Sequence, residues 1–183
     1  MKYFFFIIIL FSGLITTAYA QYEKLETTEL NYRSINNDDT IATFYVTLAK
    51  DIDKAVSNKT YYWFKTNTIL ITTGGYDSWV LNGTYKSYYP NKNLYIWGCF
   101  RDGLKNGEWK NWYPDGKLQC ITHWKKGEKK GIYETYYENG NLQQIAYYKA
   151  DKLNGTVTDF DSDGKATKTV YKHGIQNAKK ADK

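Results

Sequence analysis

The sequence predicts a mainly β protein, an elongated single antiparallel sheet of tandem 24-residue β-hairpin repeats with an N-terminal β cap. Three observations predict it. Glycine recurs at Gly83, Gly107, Gly131 and Gly155, at intervals of 24 residues. Between those glycines the chemistry returns in register. Tyr85, Trp109, Tyr133 and Val157 stand two positions after them, and Tyr88, Trp112, Tyr136 and Phe160 five after. Leu94, Leu118, Leu142 and Ala166 stand eleven after. Finally, Asp115-Gly116, Asn139-Gly140 and Asp163-Gly164 fall at one place in successive copies, between runs rich in Tyr, Trp, Ile and Thr. Such pairs mark hairpins, because the turn requires positive φ. A helix through the same residues would carry two or three glycines per copy, each costing about 1 kcal/mol relative to alanine.

From the N-terminus, Lys2, an apolar run over residues 3–15 and the small-residue site Ala18-Tyr19-Ala20 read as an export signal cleaved after residue 20. The run is shorter than the ~20 apolar residues of a membrane span. The expected product is an exported protein, periplasmic or extracellular, and not an integral membrane protein. Cleavage removes only Lys2 from the charged residues, so the formal charge falls from +6 to +5. The lysines of the repeats are interleaved with acids, a pattern that keeps a sheet soluble rather than one that tracks nucleic acid.

Residues 21–58 lack the repeat. Two β-rich runs, 30–35 and 40–48, flank the turn chemistry Asn36-Asn37-Asp38-Asp39 and predict a hairpin. This segment is expected to cap the first open strand of the array, as repeat proteins require. Counting back 24 residues from Gly83 recovers a degenerate first copy, in which Tyr61, Phe64, Asn67, Leu70 and Tyr76 align with Tyr85, Tyr88, Asn91, Leu94 and Phe100. The array then has five copies over 59–177: residues 59–82, 83–106, 107–130, 131–154 and 155–177. The last is one residue short, since Tyr171 and Gly174 come one place early. Residues 178–183 form a charged tail. Laid side by side, the hairpins give about ten strands, with the rings of Tyr88, Trp112, Tyr136 and Phe160 in one interleaved row. In the second copy Pro90-Asn91-Lys92 replaces the Asp-Gly turn, and a wider turn is expected.

The segments Phe100-Arg101-Asp102-Gly103-Leu104-Lys105-Asn106-Gly107-Glu108-Trp109 and Trp124-Lys125-Lys126-Gly127-Glu128-Lys129-Lys130-Gly131-Ile132-Tyr133 resemble the aromatic-x-x-Gly-x-x-x-Gly-x-aromatic signature of MORN repeats. The intervening Trp112-Tyr113-Pro114-Asp115-Gly116-Lys117-Leu118 and Tyr136-Tyr137-Glu138-Asn139-Gly140-Asn141-Leu142 look like the bacterial variant of that repeat, found in exported proteins of the YwqK-type antitoxin kind. The resemblance covers residues 59–177. It departs at Trp79 and Asp151, which replace the glycine of the second motif, and at Asp161, which replaces the tyrosine of Tyr89, Tyr113 and Tyr137. It implies an extended sheet of hairpins used as a scaffold or binding surface.

Other constellations carry less. Asp159, Asp161, Asp163 and Gly164 imitate the start of a calcium loop, but Val170 stands where the bidentate glutamate belongs. Cys120 and His123 are three apart on a strand and point to opposite faces. No metal-ligand spacing is present, and no cofactor is expected. Cys99 and Cys120 fall on the second strands of successive hairpins, too far apart for a disulfide. The sequons Asn58-Lys59-Thr60, Asn82-Gly83-Thr84 and Asn154-Gly155-Thr156 read first as structural links. With no convergent acid, base or nucleophile, the expected function is non-enzymatic. Tyr85, Tyr88, Trp109, Trp112, Tyr133 and Tyr136 are the candidate contact residues for a protein partner, with a carbohydrate or cell-envelope ligand as the alternative.

Overall fold

The computed structural model describes residues 31–37 and 40–177. The expected export signal and the charged tail lie outside them. The chain divides into two units between Asn31 and Tyr32. Only Asn31 of the first is described, and the fold below is that of the second.

Fourteen strands among the described residues form one antiparallel sheet. In chain order these are β1 (Asn31–Asn37), β2 (Thr40–Leu48), β3 (Thr60–Lys65), β4 (Thr68–Thr73), β5 (Trp79–Tyr88), β6 (Leu94–Arg101) and β7 (Leu104–Trp112). There follow β8 (Leu118–Lys125), β9 (Glu128–Tyr136), β10 (Leu142–Lys149), β11 (Lys152–Leu153), β12 (Gly155–Phe160), β13 (Ala166–Lys172) and β14 (Ile175–Gln176). From β5 to β10 each strand pairs with the next in sequence, as tandem hairpins require.

Two turn types alternate. Within a copy, Tyr113 N–H donates to Lys117 O at 2.8 Å and Gly116 N–H to Tyr113 O at 2.9 Å, enclosing a three-residue loop that ends on Gly116 at φ 88°. This is a type I turn closed by a left-handed residue. Residues 137–141 repeat it, with Gly140 at φ 91°. The second copy does so too, contrary to the wider turn expected: Tyr89 N–H donates to Asn93 O at 2.9 Å, and Lys92 itself takes φ 68°. Proline suits the first turn position, so Pro90 fits the common geometry without widening it. Between copies, Asp102-Gly103, Lys126-Gly127, Ala150-Asp151 and His173-Gly174 all have both residues at positive φ, the geometry of two-residue hairpins.

The repeat glycines occupy breaks in the ladder. Gly83, Gly107 and Gly131 lie at φ 100°, 74° and 106°, within the register shifts of β5 against β2, β7 against β6 and β9 against β8. In each, three residues stand opposite one, and glycine supplies the positive φ that such a bulge needs.

The first copy departs from the expected in-line array. β2 pairs with β5 along its length, from Ile41–Tyr88 to Leu48–Trp79. The β3–β4 hairpin pairs with β5 only at Trp63–Val80 and Phe64–Trp79, and stands off the main path. Its Tyr62, Phe64 and Ile69 pack instead against a buried cluster of Ala42, Phe44, Val46, Leu81, Phe100 and Trp109. An apolar second layer therefore covers this end of the sheet. The physical reason is that Lys59 stands at the glycine position, while β2 takes the edge of β5 that an in-line copy would use.

Candidate binding faces

Strand parity sorts the six candidate residues. Side chains alternate along a regular strand, so residues three apart face opposite ways. Tyr85, Trp109 and Tyr133 share one face; Tyr88, Trp112 and Tyr136 lie on the other.

On the first face the register runs Phe44–Tyr85–Gly98 and Trp109–Thr122–Tyr133–Ala146. Large and small residues alternate, and Trp109 lies across Gly98. The Trp109 ring meets Phe100 edge-on at 4.8 Å and stacks on Tyr85 at 6.0 Å. Trp109 is only 3 % exposed. Offered by the sequence as a contact residue, it is instead a core residue, because the chain packed beyond it closes this part of the face. Tyr85 is partly covered with it, and burial raises the pKa of its phenol.

Tyr88, Trp112 and Tyr136 are half-buried, each beside a leucine of the next strand: Leu94, Leu118 and Leu142. On the same face the rings of Tyr32 and Tyr45 meet at 5.5 Å. Tyr147 pairs with Ile132, and these two are 42 % and 41 % exposed. Glu108 pairs with Lys110 at 2.7 Å, and Lys110 lies over Trp97.

A third arrangement was not anticipated. The Lys105 ammonium sits 4.4 Å from the Trp109 ring, 5.0 Å from Trp124 and 5.5 Å from Tyr62. The Lys129 ammonium repeats the pattern, at 5.7 Å from both Trp124 and Tyr133 and 5.1 Å from Tyr148. Trp124 is common to both. None of the ion pairs among the described residues includes Lys105 or Lys129. Burial, and then the charge of Lys129, hold the Lys105 pKa below that of an ordinary lysine. Beside Lys105 opens a cleft of about 450 Å³, bounded by Asn58, Thr60, Tyr62, Trp124 and Asp151. The signal for it was in the repeat: one position reads Leu81, Lys105, Lys129 and Leu153.

The other candidates fall apart or into structural roles. Cys99 and Cys120 are unbonded, on β6 and β8 with β7 between. His123 Nδ1 lies 2.9 Å from Ile132 O and its ring pairs with Glu108, on the opposite face from Cys120. Asp161 Oδ1 accepts from the N–H groups of Asp163 and Lys165, as a turn residue does, and Asp159 accepts from Gln144. Asn82 and Asn154, of the sequons, accept from Asp102 N–H and His173 N–H.

Three stretches, residues 81–100, 105–126 and 129–150, match the MORN repeat variant. These MORN-type hairpins are β5–β6, β7–β8 and β9–β10, the regular middle of the sheet. The flanking copy at 155–177 lies outside the matched stretches, and that at 59–82 overlaps them only at residues 81 and 82. No curated protein matches the chain. No helix among the described residues is long and apolar enough to cross a membrane.

Proposed function

We propose that the protein is an exported, non-enzymatic scaffold whose MORN-type hairpins dock a protein partner on the face of Tyr88, Trp112 and Tyr136. The observation that carries this reading is the exposure of large apolar side chains there. Tyr45, Ile132 and Tyr147 are more than a third exposed on a face whose opposite side holds the core. Half-buried rings are already ordered by their leucine neighbours, so a partner gains apolar contact at little entropic cost. Trp and Tyr are the side chains that most often dominate protein contacts. Export rests on Lys2, the apolar run and Ala18-Tyr19-Ala20. Kinship with the YwqK-type group belongs to the same proposal, and an exported chain would not meet a cytoplasmic toxin.

The test is capture of partners from the extracytoplasmic fraction by the wild-type protein and by Trp112→Ala, Tyr136→Ala and Tyr147→Ala. Recovery of one protein that falls about tenfold or more with these variants supports the reading. A catch that is the same with all three variants contradicts it.

A further inference from the structure

We infer that the cleft beside Lys105 is a binding site for an acidic sugar, its carboxylate held by the Lys105 ammonium and its ring laid against Trp124 and Tyr62. The site is separate from the docking face proposed above and does not depend on it.

Charge is the first argument. The rings of Tyr62, Trp109 and Trp124 surround the Lys105 ammonium, yet no carboxylate among the described residues pairs with it. Glu128, on the same cleft, is engaged by Lys59. Asp151 accepts from Lys129 N–H at 2.7 Å. Aromatic faces attract a cation but accept its N–H groups only weakly, so this ammonium is partly desolvated with strong donors unspent. Lys129, in the adjoining set of rings, adds a second charge without a carboxylate partner and lowers the pKa of Lys105. An incoming carboxylate would relieve both.

Position is the second argument. The repeat builds the same site with leucine at Leu81, which is fully buried, and at Leu153. Packing does not require lysine there. The rest of the lining suits a sugar: Asn58, Thr60 and Asp151 bring amide, hydroxyl and carboxylate groups to the same cleft as Tyr62 and Trp124. A volume of about 450 Å³ admits one or two sugar units.

The experiment is a titration of tryptophan fluorescence in the full chain with glucuronate, glucose and inorganic phosphate, repeated on Lys105→Leu and Lys129→Leu. Leucine is the residue the repeat itself uses at this position, so both variants are expected to fold, and circular dichroism verifies it. The expected result is a saturable change with glucuronate, about tenfold or more weaker with glucose and in Lys105→Leu, as loss of a charged hydrogen bond implies. Lys129→Leu weakens it less. Absence of saturation with glucuronate, or equal binding by folded Lys105→Leu, overturns the site. Equal affinity for phosphate and glucuronate overturns the sugar assignment.

Discussion

Trp109 lies over Gly98 so closely that an added methyl group would stand 2.2 Å from its Cδ2 atom. The neighbouring Phe100 and Tyr85 hold the ring, and it cannot retreat. Gly98→Ala is therefore expected to cost about 3 kcal/mol, read as a lower urea midpoint. Trp109→Ala empties the same place and is expected to cost about 4 kcal/mol. If either change leaves the midpoint in place, the packing of this face is misread. Ser87 makes the converse case. Its buried Oγ lies near the Tyr85 phenol, lowering that group's pKa against the effect of burial, but has no partner of hydrogen-bonding geometry. Ser87→Ala should stabilise the fold by about 1 kcal/mol. The burial of Trp109 was not legible in the sequence. Its repeat position was plain, but which face of a sheet is covered depends on what folds across it, and strand periodicity does not carry that.

At the scale of the hairpin, the unit is tied to its neighbour by a phenol. Tyr89, Tyr113 and Tyr137 each donate their hydroxyl to the backbone carbonyl one copy on, at Trp112, Tyr136 and Phe160, and each at 2.8 Å. Asp161 breaks the tyrosine series, and its carboxylate turns inward instead, accepting from Asp163 N–H and Lys165 N–H within its own hairpin turn. Tyr113→Phe keeps the ring and loses the bond, with an expected cost of about 1 kcal/mol. The shortened last copy was legible and is visible in the ties. Gly103, Gly127 and Asp151 donate to the carbonyls of residues 81, 105 and 129, whereas Gly174 reaches Leu153, one residue nearer. The turn at Lys92 was not legible from Pro90, which fits the first position of the common turn; the deciding residue is Lys92, at positive φ. Gly116 and Gly140 fill that place in later copies, so Lys92→Gly should raise stability by about 1 kcal/mol, measured by thermal unfolding.

Across the whole sheet, register was the part the chain states openly, since 24-residue spacing survives any change of surface residue. The lateral placement of β3–β4 was hidden, because Tyr61, Phe64 and Leu70 keep the repeat pattern while the hairpin serves as a cover. The caged lysines were hidden by reading charge as solvated surface. The burial of Lys105 has a consequence for pH. A lysine whose folded pKa is depressed leaves the unfolded chain binding more protons between that value and the ordinary one, so its penalty fades as pH rises through this window. The advantage of Lys105→Leu over wild type should thus be largest near neutral pH and shrink on the alkaline side. Tyr62, Tyr85, Tyr133 and the thiols of Cys99 and Cys120 have pKa values raised by burial and act in the opposite sense; of these the Cys120 thiol also feels the Lys105 charge, which lowers its pKa, so losing that charge adds to the shrinkage on the alkaline side. A stability difference that is flat with pH would contradict the desolvated state of Lys105.

The most direct measurement is proton NMR of the labelled full chain, reading through-space contacts across the central hairpins. The account predicts contacts from the Trp109 indole to the Gly98 Hα protons, ring-current shifts on those protons, and cross-strand contacts of Trp109 with Thr122 and of Tyr133 with Ala146. Helical contacts between residues three apart over 105–154, or a Trp109 indole with no neighbour at Gly98, would contradict it.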